Sequence, residues 1–356
     1  MYLKYITFFV FVIVSLLFNY QMPAKVIDRI QMITVVGYDA IDQNKIQETV
    51  VSPKYQQEAQ VEDFIYSDTA ATVYENRVNL NAKATERLLN GKLQIAFYDR
   101  ELAEQGVEDF IEYLTRDPSI GGTLNLAVAE ESAHALINSV KTGKGRGVFF
   151  NDLFDHNIRH GNLPQTNLKE FQSALMSETC DPFLPMLSVE DESAALTAIA
   201  LFDDDKYVDK LPINKADVFK LLYQNVSDGN YQFKNDKYIV ALENVESDKD
   251  VVFEPTGGSG EVTFNVKLRG VVREYTGKEI INQLTAIEKD IKQDIEQRGE
   301  NLISRLQELD IDPLDIEGAV KSSNRNYNKE QFKSTYSEMP INVNVSVKIT
   351  GTGTRR

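Results

Sequence analysis

The longest apolar run opens the chain. In Met1–Phe18, MYLKYITFFVFVIVSLLF, the only charge is Lys4, and from Tyr5 onward only Thr7 and Ser15 are polar. At ~1.5 Å per helical residue this covers ~20–25 Å of a ~30 Å hydrocarbon core. That is short for a span and right for the apolar centre of a secretory signal. Leu17–Pro23 brings neither a cysteine nor a small-x-small cleavage site. The expectation is an uncleaved signal anchor with the body outside; a cleaved secretory peptide is the alternative.

Beyond this segment the polar and apolar positions alternate between two periods. Gln31–Val36 reads as a buried strand ending in a turn at Gly37-Tyr38-Asp39, and Gln47–Pro53 as a second strand. Ser67–Leu89 carries a helical spacing (Ala70, Val73, Val78, Ala84, Leu88) with Ser67 or Asp68 as N-cap. Short strands follow at Leu93–Tyr98 and Leu124–Ala129. Helices are expected at Val107–Arg116, ended by Pro118, at Ser132–Val140, capped by Ser132, and at Gly147–Arg159 and Asn167–Met176. Strand–helix alternation over this half argues for an α/β or α+β arrangement.

The composition shifts near Ser188–Glu192. Leu196–Phe202 and Tyr207–Leu211 form a hairpin around Asp203–Lys206, and Pro212–Asn225 is helical. Strands are expected at Tyr231–Phe233, Tyr238–Leu242 and Val251–Glu254, ahead of a linker-like run, Thr256–Gly260. Glu261–Arg269 alternates cleanly, with Val262, Phe264, Val266 and Leu268 on one face. The helix Lys278–Leu309 has a stripe from Ile280 to Leu309 that breaks only near Arg298-Gly299. A short helix starts at Asp312-Pro313, and Ile341–Ile349 alternates again. A long helix on an antiparallel sheet hides each of these single apolar faces.

Composition limits the function classes. The 356 residues suggest two or three domains, and 42% hydrophobic content is enough for real cores. A net charge of −16 repels phosphate backbones and anionic lipid surfaces, so nucleic acid is not an expected partner. Attachment to a membrane falls to the apolar N-terminus or to a partner protein. Cys180 is the only cysteine, so the chain has no intramolecular disulfide; Cys180 reads as a buried structural thiol.

No group of residues makes a catalytic constellation. His156 and His160 stand at i,i+4 without the glutamate of HExxH, and His134 is the only other histidine. Thr142–Gly147 is glycine-rich and basic but lacks G-x4-G-K-[ST]; it reads as a flexible loop, with an anion- or partner-contacting loop as the functional alternative. Asp203-Asp204-Asp205 resembles the start of a calcium loop without its glycine and bidentate glutamate, and reads as a hairpin tip. Glu130, Glu131 and Asp152, the acids a hydrolase would use, are not set apart from solvated acids. The expectation is no enzyme, no catalytic, cofactor-binding or metal residues, and no cofactor.

Several stretches, in order, carry a resemblance. They are Ile27–Asp39; Gly91–Phe97 with Glu101–Val107; Leu114-Thr115-Arg116-Asp117-Pro118-Ser119-Ile120; Ala198–Phe202 with Asp205-Lys206; and the C-terminal helix, Asp312-Pro313-Leu314 and Val343–Ile349. Together they resemble the Ger(x)C family, the C subunits of spore nutrient-germinant receptors. The resemblance implies an α+β protein of three mixed α/β domains in an extracytoplasmic body after the hydrophobic segment. The expected division is 1–20 signal or anchor segment, 21–190 N-terminal α/β domain, 191–258 middle α+β domain, and 259–356 C-terminal domain with the long helix on an antiparallel sheet. It further implies a non-catalytic, membrane-associated receptor subunit beside two integral membrane subunits at the spore inner membrane. An exported small-molecule solute-binding protein is the alternative. Where the family carries a lipobox cysteine followed by Trp-Asp-Arg, this chain has Gln21, Met22, Pro23 and Ala24. An uncleaved anchor is the expected substitute for the lipid.

Overall fold

Strands and helices succeed one another along the chain in an α+β arrangement built on two main sheets. The computed structural model describes residues 5–6, 30–42, 44–55, 61–256 and 259–352. The expected anchor, and the lipobox-equivalent positions Gln21–Ala24, lie outside the described residues apart from Tyr5 and Ile6. Among the described residues no helix is long and apolar enough to cross a membrane.

The order begins β1 (Ile30–Met32), β2 (Val35–Asp42), β3 (Lys45–Tyr55), β4 (Val61–Ala70) and α1 (Val73–Lys83). Next come β5 (Arg87–Leu89), β6 (Ile95–Asp99), α2 (Arg100–Gln105), α3 (Glu108–Arg116), β7 (Asn125–Ala129), α4 (Ala133–Ser139), α5 (Arg146–His160) and α6 (Leu168–Leu175). Then follow β8 (Phe183–Glu190), β9 (Ser193–Asp203), β10 (Lys206–Pro212), α7 (Ala216–Tyr223), β11 (Val226–Lys234), β12 (Ile239–Thr256) and β13 (Ser259–Tyr275). The chain ends with α8 (Ile280–Glu308), α9 (Ile316–Ser323), α10 (Lys329–Tyr336) and β14 (Ile341–Thr352).

The first sheet has eight strands in the order β10-β9-β8-β7-β6-β2-β3-β4. Its centre, β2, β6, β7 and β8, is parallel. The stretches IAFYD and NLAVA there are apolar almost throughout because helices cover both faces. Val35, Ile95, Phe97 and Ala127 face α4 and α5 in one cluster. Val36, Ala96, Tyr98 and Val128 face α2, α3 and α6 in the other. β1 and β5 form a separate parallel pair.

Gly37-Tyr38-Asp39 lies inside β2 rather than in a turn. A Cβ on Gly37 would stand 2.8 Å from Ile137 Cδ1 and 3.0 Å from Ala133 Cβ, so the glycine lets α4 lie against the strand. Asp39 accepts from the backbone N–H of Ala133 (2.7 Å) and of His134 (2.9 Å), which caps α4 together with Ser132. The helix expected from Ser67 instead starts after Thr72, which accepts from Glu75 N–H. Ser67 and Asp68 belong to β4, an edge strand whose half-exposed positions carry no clean alternation.

The second sheet runs β11-β12-β13-β14. β14 pairs with β13 in parallel, so the sheet is mixed and not antiparallel as expected. A parallel return needs a crossover, and α8–α10 provide it. Ile287, Ile291 and Ile295 of α8 are fully buried, each worth roughly 1.5–3 kcal/mol relative to exposure. The break in the stripe at Gly299 is a close approach: a Cβ there would stand 3.1 Å from Val343 of β14. The strands on either side of the Thr256–Gly260 run pair with each other. The run joins antiparallel partners, with Thr256 opposite Ser259 and pairing that runs back to Val240 opposite Tyr275. The expected boundaries near 190 and 258 are thus both bridged by strand pairing, β8 with β9 and β12 with β13. The helix expected from Asp312-Pro313 begins later, at Ile316, and α10 has no counterpart among the expected elements.

Candidate functional site

The residues that sequence reasoning singled out are dispersed. Glu130 is held by Lys210 and Asp152 by Lys144, so different lysines engage the two acids. His156 and His160 meet at a tilt of 51° with ring centroids 5.8 Å apart, and His160 Nδ1 lies 3.1 Å from Asp228. Among the described residues, the groups able to hold a metal do not include either ring. His134 Nδ1 meets the hydroxyls of Thr49 (3.0 Å) and Ser67 (3.2 Å). An asparagine, Asn138, and not a carboxylate, holds its other nitrogen. This contact pins α4 to β3 and β4 and lacks the acid that would make it a hydrolytic triad.

The glycine-rich loop is anchored. Gly145, at φ +88°, precedes α5, and Asp63 accepts from Arg146 N–H (2.9 Å) and from its guanidinium (3.0 Å). A carboxylate therefore occupies the helix N-terminus where a bound anion would sit. A cleft of about 340 Å³ lies beside it, lined in part by Asp63, Lys92, Gln94 and Lys144.

A polar network runs under α1. Arg77 donates to buried Glu48 (2.7 Å) and to Asn90 (3.0 Å), and Asn90 donates to Asp117 (3.1 Å). Asp117 also accepts from the N–H and hydroxyl of Ser119. Arg116 instead pairs with Glu112 on the surface of α3. The Arg-Asp-Pro signature thus fixes the end of α3 and ties it to α1. Burial raises Glu48 to about 7 even with Arg77 pulling it down.

A strongly acidic cleft lies where the approach to β8, the β9–β10 tip and the segment after α8 meet. It measures about 270 Å³ and is lined by seven carboxylates and two lysines. Asp181, just before β8, is its hub. Its carboxylate accepts from Asp312 N–H (2.7 Å) and Asp204 N–H (3.3 Å), and its own N–H donates to Asp312 O (3.1 Å). One carboxylate so joins the β9–β10 tip to the loop after α8. Asp312 accepts from Glu317 N–H at 2.7 Å through one oxygen. Burial, with Asp315 and Asp181 nearby, pushes it up to about 7 against the pull of the Glu317 and Ile316 N–H groups. Burial also raises Asp181 and Asp203, each with neighbouring aspartates adding to the effect. Cys180 lies in the same place. Burial, then Asp312, Asp315 and Asp181, hold its thiol far above the ordinary range, which keeps it from acting as a nucleophile. Asp205 takes no part in the cleft and accepts from Glu108 N–H (3.1 Å) at the start of α3. Gly106, at φ +123°, makes room for it. Sequence reasoning noticed Asp203 and Asp204 and missed Asp181 and Asp312. The available signal was two of the chain's three Asp-Pro dipeptides, Asp181-Pro182 and Asp312-Pro313, whose aspartates are biased toward extended, turn-forming backbone.

Comparison with known proteins agrees with this architecture. Residues 23–189 match the family described as spore germination protein N-terminal domain. Residues 197–353 match spore germination B3/GerAC like, C-terminal. The chain belongs to the Ger(x)C family of spore germination proteins. A Ger(x)C relative, the spore germination protein GerQC of Bacillus cereus, is 26% identical over 350 residues, covering 96% of this chain and 98% of that protein. The crystal structure of the GerBC protein superposes with a TM-score of 0.60 at 13% identity, covering 88% of this chain and 96% of that one. At that identity the likeness speaks to the fold alone, and the Ger(x)C fold is the mixed α+β arrangement described above.

Proposed function

We propose that this chain is a non-catalytic subunit of a membrane-associated spore germinant receptor and acts in nutrient-triggered germination. The observation that carries the reading is the end-to-end match to GerQC, together with both halves of the germination family in their order. The reading places the body on the extracytoplasmic face of the spore inner membrane, held by the apolar Met1–Phe18 segment in place of a lipid and by two integral membrane subunits. Glu130 and Asp152, each held by a different lysine, and the suppressed Cys180 thiol support a non-catalytic role. Deleting the gene and following loss of spore refractility across amino acids and sugars tests it. The expected result is a defect toward particular nutrients in otherwise viable spores. A normal response to every nutrient would overturn the reading.

A further inference from the structure

The acidic cleft around Asp181 has a property that its role as a tie does not use. Among the described residues, Asp181, Asp203 and Asp204 each offer a carboxylate oxygen, and these three oxygens lie within 4.8 Å of one another. Oxygens this close can share one divalent cation; calcium, at ~2.3–2.6 Å, accepts irregular oxygen cages, whereas magnesium demands near-ideal octahedral geometry and gives up its waters reluctantly. The three come from two segments, the approach to β8 and the β9–β10 tip, so they converge through the fold and not through sequence adjacency alone.

A second observation is independent of this cluster. Asp312 comes from a third segment, is 6% exposed, and lines the same cleft. One of its carboxylate oxygens accepts from Glu317 N–H, and the other, Oδ1, is buried with no hydrogen-bond partner. A buried oxygen without a donor costs roughly 1–3 kcal/mol in other proteins, more when it is charged. Its residue lines a cleft in which carboxylates outnumber lysines seven to two. What such a site lacks is positive charge.

We propose that this cleft is a divalent-cation site selective for calcium, with Asp181, Asp203 and Asp204 as direct ligands and the buried Asp312 carboxyl behind them. All the donors are hard oxygens, which favours calcium over a transition metal. Bound there, calcium draws the β9–β10 tip toward the approach to β8, beside the loop after α8 that Asp181 already holds. Lys329 and Lys333 line the same cleft and offset part of its charge. Asp203 and Asp204 are exposed, so the affinity expected is that of extracellular calcium modules, with Kd on the order of 10⁻⁴–10⁻³ M. The inference does not depend on the receptor reading.

The test is calorimetric titration of the full-length chain in detergent with calcium chloride, then with magnesium chloride, at constant ionic strength. Thermal unfolding is followed in parallel by circular dichroism. One calcium per chain, binding at least tenfold tighter than magnesium, with a calcium-dependent rise in Tm, is the expected result. Asp203→Asn/Asp204→Asn, placed at an exposed tip so that the variant folds, should weaken calcium at least tenfold with an unchanged far-ultraviolet spectrum. Absence of binding heat and of any Tm shift up to about 10 mM calcium, ten times the weak end of that range, would overturn the proposal. So would an unchanged calcium affinity in the double variant.

Discussion

The buried Glu48–Arg77 pair makes the sharpest demand on stability. Glu48 is fully buried, Arg77 is 15% exposed, and their contact is 2.7 Å. The second carboxylate oxygen of Glu48 has no partner. Replacing Arg77 by Met keeps the apolar stem and removes the charge, leaving an uncompensated buried carboxylate, a situation that costs ~3–5 kcal/mol elsewhere. The pH dependence identifies the mechanism. Folding raises Glu48 from an ordinary value of 4.5 to about 7. The folded state therefore holds the proton more tightly, so this group's contribution is fully present below about 4.5 and is lost as pH rises through about 7. Above that pH the native chain reaches a plateau for this group. Without Arg77 the carboxyl titrates higher, so the variant goes on losing ~1.4 kcal/mol per pH unit.

The assay is urea unfolding of Arg77→Met and its parent at pH 6 and pH 8.5. The stability gap should be about 2 kcal/mol wider at pH 8.5 than at pH 6, reaching ~3–5 kcal/mol at the alkaline end. Glu48→Gln/Arg77→Met should recover most of the loss and abolish the widening. A gap independent of pH would refute the argument and reduce Arg77 to its packing and its bond to Asn90.

Three further outcomes follow from the packing. Ile291→Ala empties a fully buried position under β14 and should lower unfolding free energy by ~2–5 kcal/mol in urea, whereas a loss below ~1 kcal/mol would mean that α8 is not seated as described. Gly37→Val drives a side chain into Ile137 and Ala133 and should cost at least ~1–3 kcal/mol, seen as a lower Tm; an unchanged Tm would show that α4 can move aside. Cys180 should react with Ellman's reagent at pH 8 far more slowly in the folded chain than in urea, since burial and three aspartates suppress its thiolate; equal rates would show an open, unshifted thiol.

How much of this was legible in the sequence depends on the range of each interaction. Ser132 and Asn167 announce their helices because the capping bonds, to Ala135 and Glu170, span three residues. The alternation of Glu261–Arg269 and Ile341–Ile349 locates two strands of one sheet, but not their direction, since local period is the same in parallel and antiparallel pairs. The turn read at Gly37 failed because that glycine answers to α4, about a hundred residues away. The helix read from Ser67 failed because an edge strand exposes both faces, so its polar residues mimic a helix start. The acidic cleft was the least legible part. Asp181 and Asp312 are 131 residues apart and meet only because the fold brings the approach to β8 beside the loop after α8.

The same range explains why the composition shift near 190 and the glycine run at 257–260 do not behave as breaks. A composition shift records a change of period, while a mechanical boundary needs a gap in the core. No such gap lies here. Phe183 at the start of β8 packs edge-on against Phe219 (5.1 Å between centroids) and Tyr223 (4.9 Å) of α7. From α7, Asp217 pairs with Arg298 of α8, whose buried isoleucines share one apolar cluster with Phe264 of β13 and with Phe97 of β6. Apolar packing thus runs without interruption from the parallel centre of the first sheet to the second, and the Asp181 hydrogen bonds reinforce it at the rim. Bending the chain at 190 would expose Phe183, Phe219 and Tyr223 together. At roughly 25 cal/mol per Å² and 150–250 Å² per aromatic ring, that would cost on the order of 10 kcal/mol, comparable to the whole stability of a typical domain. The position where the two family segments meet is therefore spanned by apolar packing.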